Sequence, residues 1–576
     1  MEELTSNARR VLQARYLRRD GEGEADERPE DMFRRVARGV AHAETLLHGP
    51  EEAAVWEERF FDLLAGLEFL PNSPTLMNAG THLGQLSGCF VLAVPDSMEG
   101  IFDALKQMAL IQQSGGGTGF AFSRLRPRGA LISSTGGESS GPVSFMEIFN
   151  CATEHIKQGG RRRGANMGVL RVDHPDIEDF VSAKEDPSRL RNFNLSVAAT
   201  DAFMEAAAAG ASYALVDPRT GEQVGERDAA EIMGRIAAAA WSSGDPGMFF
   251  LDRANRSHPL EHLGEIEATN PCGEIPLLPY ESCNLGSINL SRMTVREGER
   301  TVIDRRRLEE VTRDAVRFLD DVIEVNRYPL EPTGEITRAN RKIGLGVMGF
   351  ADLLVGLEVP YASQKAVKVA EEVMERIAAV SREASVELAE RRGVFPNWKG
   401  SEFERRDIRV RNATRNAVAP TGTISIIAGT SPSIEPFYSL AYRRQNVLSG
   451  QTLRTVNPLL QQWVEEHGLD LERVMRQVKA EGSLEGMEDL PGEMKELFRT
   501  AAEIDPDRHL AIQAAFQRHT DNAVSKTINL PADFEAEGIA RLYGKAWELG
   551  LKGVTVFRTC SKGGQVMEAG MEEQGR

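Results

Sequence analysis

The side chains with the clearest chemical potential occupy alternate positions of one short segment. It reads Asn270-Pro271-Cys272-Gly273-Glu274. An extended backbone would turn the amide, the thiol and the carboxylate to one side, because successive side chains alternate there. A further thiol, Cys283, follows eleven positions after the first. The pattern suggests a compact reactive cluster, and the alternative is a Pro-Cys-Gly turn around a buried, inert cysteine.

Cysteines are few in the rest of the chain. The full set is Cys89, Cys151, Cys272, Cys283 and Cys560. An odd number without a Cys-x-x-Cys pair argues against zinc knuckles and against a disulfide scaffold, and it fits a reducing compartment. We therefore expect no metal site, while individual redox cysteines stay compatible with this count.

Bulk composition excludes two classes of protein. The 576 residues are 41% hydrophobic and 27% charged, as in ordinary globular proteins. The net charge of -18 argues against binding to nucleic acid, which needs an excess of lysine and arginine. The sequence contains neither an apolar run of about eighteen residues nor a signal peptide, so it predicts a cytoplasmic protein that does not enter the membrane.

Patterning divides the chain into three parts. Residues 1–70 read as amphipathic helices that form a packing cap. Residues 71–558 alternate short apolar runs with glycine-rich turns and helices, which predicts α/β architecture. Within them, Cys89–Val94 suits a strand buried on both faces, and Gly553–Phe557 suits a late strand. Residues 559–576 read as a polar, flexible tail.

Two glycine-rich segments have the composition to approach a ligand closely. The first is Gly115-Gly116-Gly117, which serves equally well to end a helix. The second runs from 159 to 164 and holds three adjacent arginines. These could grip a phosphate through forked hydrogen bonds, or they could form a solvated basic loop.

The segment Gly344–Gly349 matches the G-x-G-x-x-G pattern of dinucleotide-binding folds. Such a fold needs an apolar strand before the first glycine, and residues 335–342 are instead polar and charged. It also needs an acidic residue about twenty positions later, where this chain offers none. An NAD-dependent oxidoreductase is therefore only a weak alternative.

The segment 419–427 places small hydroxyl side chains at the start of a predicted helix. Hydroxyls and free amides at such a place form an anion site, because the first N–H groups of a helix lack partners. Simple N-capping by Thr421 or Thr423 is the alternative.

In this order, the motifs resemble one family: the catalytic chain of ribonucleotide reductases, most closely its adenosylcobalamin-dependent class II. The resemblance covers Asn72 to about Arg558. Its motifs are Ser73 to Met77, Ser87-Gly88-Cys89, Gly115 to Gly119, Gly159 to Gly164, Asn270 to Glu274, Cys283, and Pro420 to Ile424. Each motif is weak alone, whereas the ordered set is highly specific.

The resemblance implies a fold and a mechanism. The fold would be a ten-stranded α/β barrel of two five-stranded parallel halves, with a central radical-bearing finger loop and an N-terminal helical cap. Cys272 would become the thiyl radical that removes the 3′ hydrogen of the ribose. Glu274 would be the general base, and Asn270 would hold the sugar hydroxyls. Cys89 and Cys283 would form the redox-active disulfide that supplies the electrons.

The resemblance also implies binding positions. Substrate would contact Ser73, Gly88, Cys89, Gly117, Asn270, Pro271, Cys272, Gly273, Glu274, Pro420, Thr421, Gly422, Thr423 and Ile424. A specificity loop, which relays a bound deoxynucleoside triphosphate effector, would comprise Arg161, Arg162, Arg163, Gly164, Ala165 and Asn166. In the resembling family this allosteric site commonly lies at a dimer interface, so a homodimer is expected.

The radical source separates the classes within that family. Class I chains carry adjacent tyrosines where this chain has Val556 and Phe557, and the tail shows no glycyl-radical motif. Adenosylcobalamin is therefore the implied cofactor. The expected reaction reduces ribonucleotides, diphosphates rather than triphosphates, to 2′-deoxyribonucleotides for DNA synthesis. A class I large subunit with a dimetal radical partner and a nucleotide-sensing paralogue remain as alternatives.

The sequence leaves several sources of reducing electrons open. The family usually ends in a cysteine pair that passes electrons from thioredoxin or a similar protein, whereas this tail contains Cys560 alone. A truncated chain, a separate subunit that supplies the pair, or direct reduction of the active-site disulfide would each account for the difference.

Overall fold

The computed structural model describes residues 3–132, 136–158, 162–448, 451–559, 561 and 567–571. The helices are α1 (Ser6–Arg15), α2 (Pro29–Leu47), α3 (Pro50–Ala65), α4 (Ser73–Asn78), α5 (Met98–Gln113), α6 (Pro142–His155), α7 (Ile177–Val181), α8 (Asp201–Ala209), α9 (Ala229–Ser243), α10 (Leu251–Arg256), α11 (Arg305–Val325), α12 (Glu331–Asn340), α13 (Phe350–Gly356), α14 (Gln364–Arg392), α15 (Glu402–Arg405), α16 (Ile424–Ala428), α17 (Pro458–Glu466), α18 (Leu471–Glu481), α19 (Gly492–Leu497), α20 (Pro506–Gln517) and α21 (Ala536–Glu548).

The strands are β1 (Phe69–Pro71), β2 (Cys89–Ala93), β3 (Gly117–Ala121), β4 (Leu131–Ile132), β5 (Gly137–Glu138), β6 (Lys157–Gln158), β7 (Arg162–Arg163), β8 (Asn166–Arg171), β9 (Phe193–Ala199), β10 (Ser212–Val216), β11 (Gln223–Asp228), β12 (Gly247–Phe250), β13 (Ala268–Thr269), β14 (Pro276–Leu277), β15 (Ser282–Asn289), β16 (Thr294–Glu297), β17 (Arg300–Ile303), β18 (Ile343–Met348), β19 (Ala441–Leu448), β20 (Gln451–Val456), β21 (Thr527–Leu530), β22 (Gly553–Arg558) and β23 (Met567–Ala569).

Five strands form the first half of the central sheet. They lie side by side in the order β2, β3, β8, β9 and β12, and each neighbouring pair is parallel. Helices connect them, as parallel neighbours require. The predicted strand in the run Cys89–Val94 is confirmed as β2.

The second half is also parallel and completes a ring. β15 pairs with β18, and Leu345 of β18 forms a parallel bridge with Asn416 in the segment 414–418. That segment pairs through Val418 with Val524, in the stretch that leads into β21, and β21 pairs with β22. Two antiparallel junctions, β15 with β2 and β12 with β22, join the halves. The predicted barrel of two five-stranded parallel halves is confirmed.

The barrel strands are buried on both faces. Their outward side chains pack on the helices, among them Phe90, Phe120, Leu170, Val197 and Met248. Their inward side chains form a second cluster with the segment inside the barrel, among them Val91, Ala121, Val169, Ala198, Phe249, Ile275 and Leu277. This double burial explains why the strands read as continuous apolar runs instead of alternating ones.

The N-terminal helices pack against the outside of the second half. α2 and α3 bury Phe33, Phe60 and Leu64 in one core with residues of α11 and α14. The predicted helical region therefore exists, although β1 begins at Phe69 and pairs with β15. Within the described residues, none of the helices has both the length and the apolar character needed to cross a bilayer.

A buried ionic network fastens α2 to α11 and α14. Arg392 donates to Asp320 at 2.8 Å, to Asp321 at 2.7 Å and to Glu44 at 2.5 Å, and Arg317 also donates to Glu44. Burial raises the pKa of Asp321 well above its usual value; Arg392 opposes this rise, and the neighbouring Glu44 and Asp320 add to it. The network joins helices that are far apart in the sequence, so local sequence patterns did not predict it.

Candidate active site

The segment 270–275 forms a loop inside the barrel, between β13 and β14. The Gly273 N–H donates to the Asn270 carbonyl at 3.1 Å, which closes a tight turn. Asn194 of β9 donates to the Pro271 carbonyl at 2.8 Å, and the Ala523 N–H donates to the Glu274 carbonyl at 2.9 Å. The loop is therefore held by both halves of the barrel. It is the finger loop that the sequence predicted.

Gly119 explains how the loop fits so closely against β3. A Cβ atom at this position would lie 1.9 Å from the Thr269 carbonyl oxygen, far inside van der Waals contact. Only glycine allows the finger backbone to approach the strand to this distance.

Asn270 is fully buried and oriented by several hydrogen bonds. Its Oδ1 accepts the Ile275 N–H at 3.0 Å and the Thr269 hydroxyl at 3.2 Å. Its Nδ2 donates to the sulfur of Cys89 at 3.2 Å. One amide thus links the finger loop to the thiol on β2.

Glu274 lies beneath the finger surface and is 2% exposed. Burial in this low-dielectric interior raises its pKa to about 7, and hydrogen bonding by Asn270 opposes the rise only in part. Its Oε2 is buried and has no hydrogen-bond partner within the described part of the chain. A carboxyl group poised near neutral pH, with an unused acceptor, is suited to general acid–base work.

Cys272 is exposed at the tip of the loop and lines a cavity of about 1440 Å³. The same cavity is bordered by Asn194 and Ser196 of β9 and by residues 524–527. The thiol therefore faces a space large enough for sizeable ligands, while Asn270 and Glu274 lie behind it.

Cys89 and Cys283 occupy paired positions on β2 and β15. Opposed positions of antiparallel strands have Cα atoms about 4.5–5.5 Å apart, which lies within the range that a disulfide spans. The fold thus brings these two positions together next to the finger loop, as the sequence-based interpretation required.

The predicted phosphate loop lies on the wall of the same cavity. Pro420, Gly422 and Thr423 line it, and Thr421 is buried with a positive φ of 52°. Thr421 accepts the Ser433 N–H at 2.7 Å, so it braces the following loop and does not cap α16. N-capping by Thr423 also fails, because its side chain makes no cap hydrogen bond.

Four other predicted binding positions lie outside the lining of the cavity, and one of them is Ile424, the buried first residue of α16. Gly88 and Gly117 are joined by a backbone hydrogen bond of 2.9 Å, directly beside Cys89. The hydroxyl of Ser73 lies 2.7 Å from that of Tyr16. Their predicted contact with substrate stays a prediction.

Comparison with known families decides what this site belongs to. The family model described as "Ribonucleotide reductase, barrel domain" matches residues 87–557, and the model for the all-alpha domain of the same enzyme matches residues 2–84. The chain belongs to the ribonucleotide reductase family. The resemblance inferred from the ordered motifs is thereby confirmed.

Individual relatives of this reductase chain are similar over nearly its full length. The vitamin B12-dependent ribonucleoside-diphosphate reductase of Thermoplasma acidophilum is 49% identical and covers 99% of this chain and 81% of its own length. A protein of the same name from Mycobacterium tuberculosis is 51% identical over 98% of this chain and 81% of its own. The class Id ribonucleotide reductase alpha subunit of Actinobacillus ureae superposes with a TM-score of 0.80 at 26% identity, over 97% of each chain.

The dinucleotide alternative does not survive in this reductase fold. The glycines of the segment 343–348 lie within β18, which is buried throughout, whereas the glycines of a dinucleotide-binding motif form the turn after a strand. A Cβ on Gly346 would lie 2.2 Å from the Ala417 oxygen. These glycines serve the close approach of the segment 414–418, which completes the barrel.

The predicted specificity loop of the reductase falls only partly on described residues. Arg161 lies outside the described residues, and Arg162 and Arg163 form β7, which pairs with β6. Asn166 is the first residue of β8 and is fully buried. The predicted role of this segment in effector binding stays a prediction.

Two polar features near the site were missed from the sequence. Gln112 donates to Asn166 at 2.8 Å, and Thr118 donates to the same oxygen at 2.6 Å, so β3 and β8 are tied to α5. Arg444 on β19 lines the cavity and donates to the Gly422 carbonyl at 2.9 Å. Neither could be found locally, since each depends on contacts between distant segments.

Proposed function

We propose that this chain is the catalytic chain of an adenosylcobalamin-dependent ribonucleoside-diphosphate reductase. The two relatives that are about half identical over nearly the whole chain carry that activity in their names. The observation that carries the proposal is the arrangement around the finger loop: an exposed Cys272 at a large cavity, with a buried Glu274 of pKa about 7 behind it.

The chemistry assigns one role to each group. Cys272, as a thiyl radical, removes the 3′ hydrogen of the ribose and returns it at the end. Glu274 takes the proton of the 3′-hydroxyl, for which a pKa near 7 is favourable. Cys89 and Cys283 supply two electrons and two protons, so that the 2′-hydroxyl leaves as water and the pair becomes a disulfide.

The cavity beside Cys272 has room for substrate and a large organic cofactor. Its volume of about 1440 Å³ exceeds the roughly 300–1,000 Å³ of ordinary small-molecule sites. Tyr438, Thr455 and Asn457 contribute hydroxyl, amide and aromatic groups to its lining, and we infer that they hold adenosylcobalamin. When bound, the cofactor supplies the radical that oxidises the Cys272 thiol by one electron.

β22 lacks the tyrosines that would carry a radical in from a separate metal-containing subunit. Val556 is buried and Phe557 lines the cavity, and neither side chain can form a phenoxyl radical. The similarity to a class Id alpha subunit keeps a class I large subunit as the second candidate. The two candidates differ in their need for added cofactor.

The phosphates of the substrate are assigned to the loop 420–424. Arg444, which bonds this loop, adds a cation to its hydroxyls and amides, as an anionic ligand requires. The effector is assigned to the segment 161–166, and Gln112 connects the end of that segment to the barrel.

We further propose a homodimer that uses α5 and α6. These helices expose large apolar side chains, namely Met98, Phe102, Leu110 and Ile148. Apolar side chains grouped on neighbouring helices are typical of association surfaces. Electrons are expected from a thioredoxin-like protein or from a separate subunit with a cysteine pair, in a reducing compartment such as the cytoplasm.

Formation of deoxyribonucleotides tests the proposal directly. The purified chain is supplied with ribonucleoside di- and triphosphates, deoxynucleotide effectors and dithiothreitol, with and without adenosylcobalamin. Product from diphosphates only with the cofactor is the expected result. Product that instead requires a dimetal partner chain would favour the class I candidate, and folded protein without product under either condition would overturn reductase activity.

A further inference from the structure

The amide of Asn270 makes a contact that its role at the sugar does not require. Nδ2 donates to the sulfur of Cys89 at 3.2 Å, between the finger loop and β2. Both residues are buried, with Asn270 fully shielded and Cys89 8% exposed. Water therefore competes little for this hydrogen bond.

The direction of the amide is fixed by its other end. Oδ1 accepts two donors, the Ile275 N–H at 3.0 Å and the Thr269 hydroxyl at 3.2 Å. Rotation of the amide by 180° would place Nδ2 against the Ile275 N–H, which can only donate, so that hydrogen bond would be lost. Asn270 consequently presents an N–H, and not a carbonyl oxygen, to the sulfur.

A donor aimed at sulfur acts differently on the two redox states. Reduced sulfur, above all a thiolate, accepts a hydrogen bond, whereas a disulfide sulfur accepts poorly. Burial by itself disfavours a charged thiolate, so a fixed donor has a large relative effect. We propose that Asn270 tunes the redox couple of Cys89 and Cys283, because its N–H stabilises reduced Cys89 and keeps the disulfide reducible after each turnover.

The inference rests on the proposed function, in which Cys89 and Cys283 form the redox pair. Reduction by dithiothreitol converts the disulfide into two thiols and the dithiol into its cyclic disulfide, a balanced transfer of two electrons and two protons. Loss of a donor that stabilises the reduced state should make the disulfide harder to reduce.

The test measures this thiol–disulfide equilibrium and needs neither substrate nor cofactor. The full chain carries Cys272→Ser to prevent exchange with the third thiol, and it is equilibrated in mixtures of reduced and oxidised dithiothreitol. After acid quenching and alkylation of the unfolded chain, mass spectrometry of the peptides that contain Cys89 and Cys283 gives the reduced fraction.

Two variants remove the donor in different ways. Asn270→Asp retains oxygens for the Ile275 N–H and the Thr269 hydroxyl, and Asn270→Leu removes the polar group. Both should lower the equilibrium constant for reduction about tenfold, which is about 30 mV for a two-electron couple. The control Thr269→Val deletes a neighbouring hydroxyl of the same network, leaves Nδ2 in place, and should stay within about threefold.

The possible outcomes test the role of Asn270 separately from the proposed redox pair of Cys89 and Cys283. A shift in both Asn270 variants, with the control unchanged, supports the inference. A wild-type equilibrium constant in both variants, with circular dichroism unchanged, overturns it while the redox pair stands. An oxidised parent chain without a disulfide between Cys89 and Cys283 would overturn the proposed redox pair, and the inference with it.

Discussion

Cys89 and Cys283 lie opposite each other on β2 and β15, at an antiparallel junction between the two parallel halves of the barrel. They are separated by 194 positions in the sequence (283 minus 89). Both strands enter this junction beside the finger loop, and Asn270 of that loop donates to Cys89. The relationship places the proposed reductant pair beside the loop that carries the proposed radical residue.

The first prediction concerns Cys272 itself. Cys272→Ser should lower kcat by at least about a thousandfold, because an alcohol cannot replace the thiol as the hydrogen-abstracting radical. Since the side chain is exposed at the cavity, the free energy of unfolding should change by less than about 0.5 kcal/mol. Steady-state kinetics and denaturant titration measure the two effects, and a variant with appreciable turnover would end the thiyl assignment.

The paired cysteines should matter for repeated turnover. Cys89→Ser and Cys283→Ser should each yield at most about one product per chain with dithiothreitol, because neither variant can form the disulfide that carries the electrons away. Counting product against active chains in a rapid-quench experiment measures this limit. Cys151→Ser, at an exposed cysteine on α6, is the matched control and should turn over like the parent. Multiple turnovers in the first two variants would show that the pair is misassigned.

The pH dependence should report Glu274. Its pKa is raised to about 7, and a general base works in its ionised form. kcat/KM should therefore rise with pH through about 7 and then level off. Glu274→Gln should lower kcat/KM by about a hundredfold or more and abolish this limb of the profile. A profile that is flat between about pH 6 and 8 in the parent would contradict the assignment.

The raised pKa of Glu274 should also make the stability of the fold depend on pH, and stability should fall where activity rises. Because its folded-state pKa lies above the unfolded value of 4.5, protonated Glu274 favours the fold, and this contribution is lost as pH rises from about 4.5 through about 7. Glu274→Gln should thus raise the unfolding free energy at about pH 8 by up to about 3 kcal/mol relative to the parent. Denaturant titrations of both proteins at about pH 5 and 8 test the sign. An equal difference at the two pH values would exclude this linkage.

Gly119→Ala tests the seating of the finger loop. The new methyl group would collide with the Thr269 carbonyl oxygen, so the loop must move away from β3. Activity should fall more than about tenfold, and stability by about 1–3 kcal/mol. Gly234→Ala is the matched control, since its Cβ on α9 meets no atom within 4 Å. Wild-type kinetics of Gly119→Ala would mean that the loop is not held by this contact.

Parts of the fold were accessible from the sequence because they depend on local periodicity. The amphipathic helices predicted within residues 1–70 are α1, α2 and α3, and the strand predicted for Cys89–Val94 is β2, which ends one residue earlier. The late strand matches β22 except for one residue at its end. A glycine pattern can also be ambiguous: the letters of Gly344–Gly349 match a dinucleotide-binding motif, but in the fold most of this segment is a buried strand.

The sequence by itself determined which reactive groups exist and which family they resemble, because residue type, order and spacing are properties of the chain. Only the tertiary structure decided that β2 pairs with β15, that Asn270 reaches Cys89, and that Arg444 joins the loop 420–424. It also decided the pKa of Glu274, since burial depends on segments that pack from every side. Proximity and desolvation arise from contacts between distant residues, which no local pattern records.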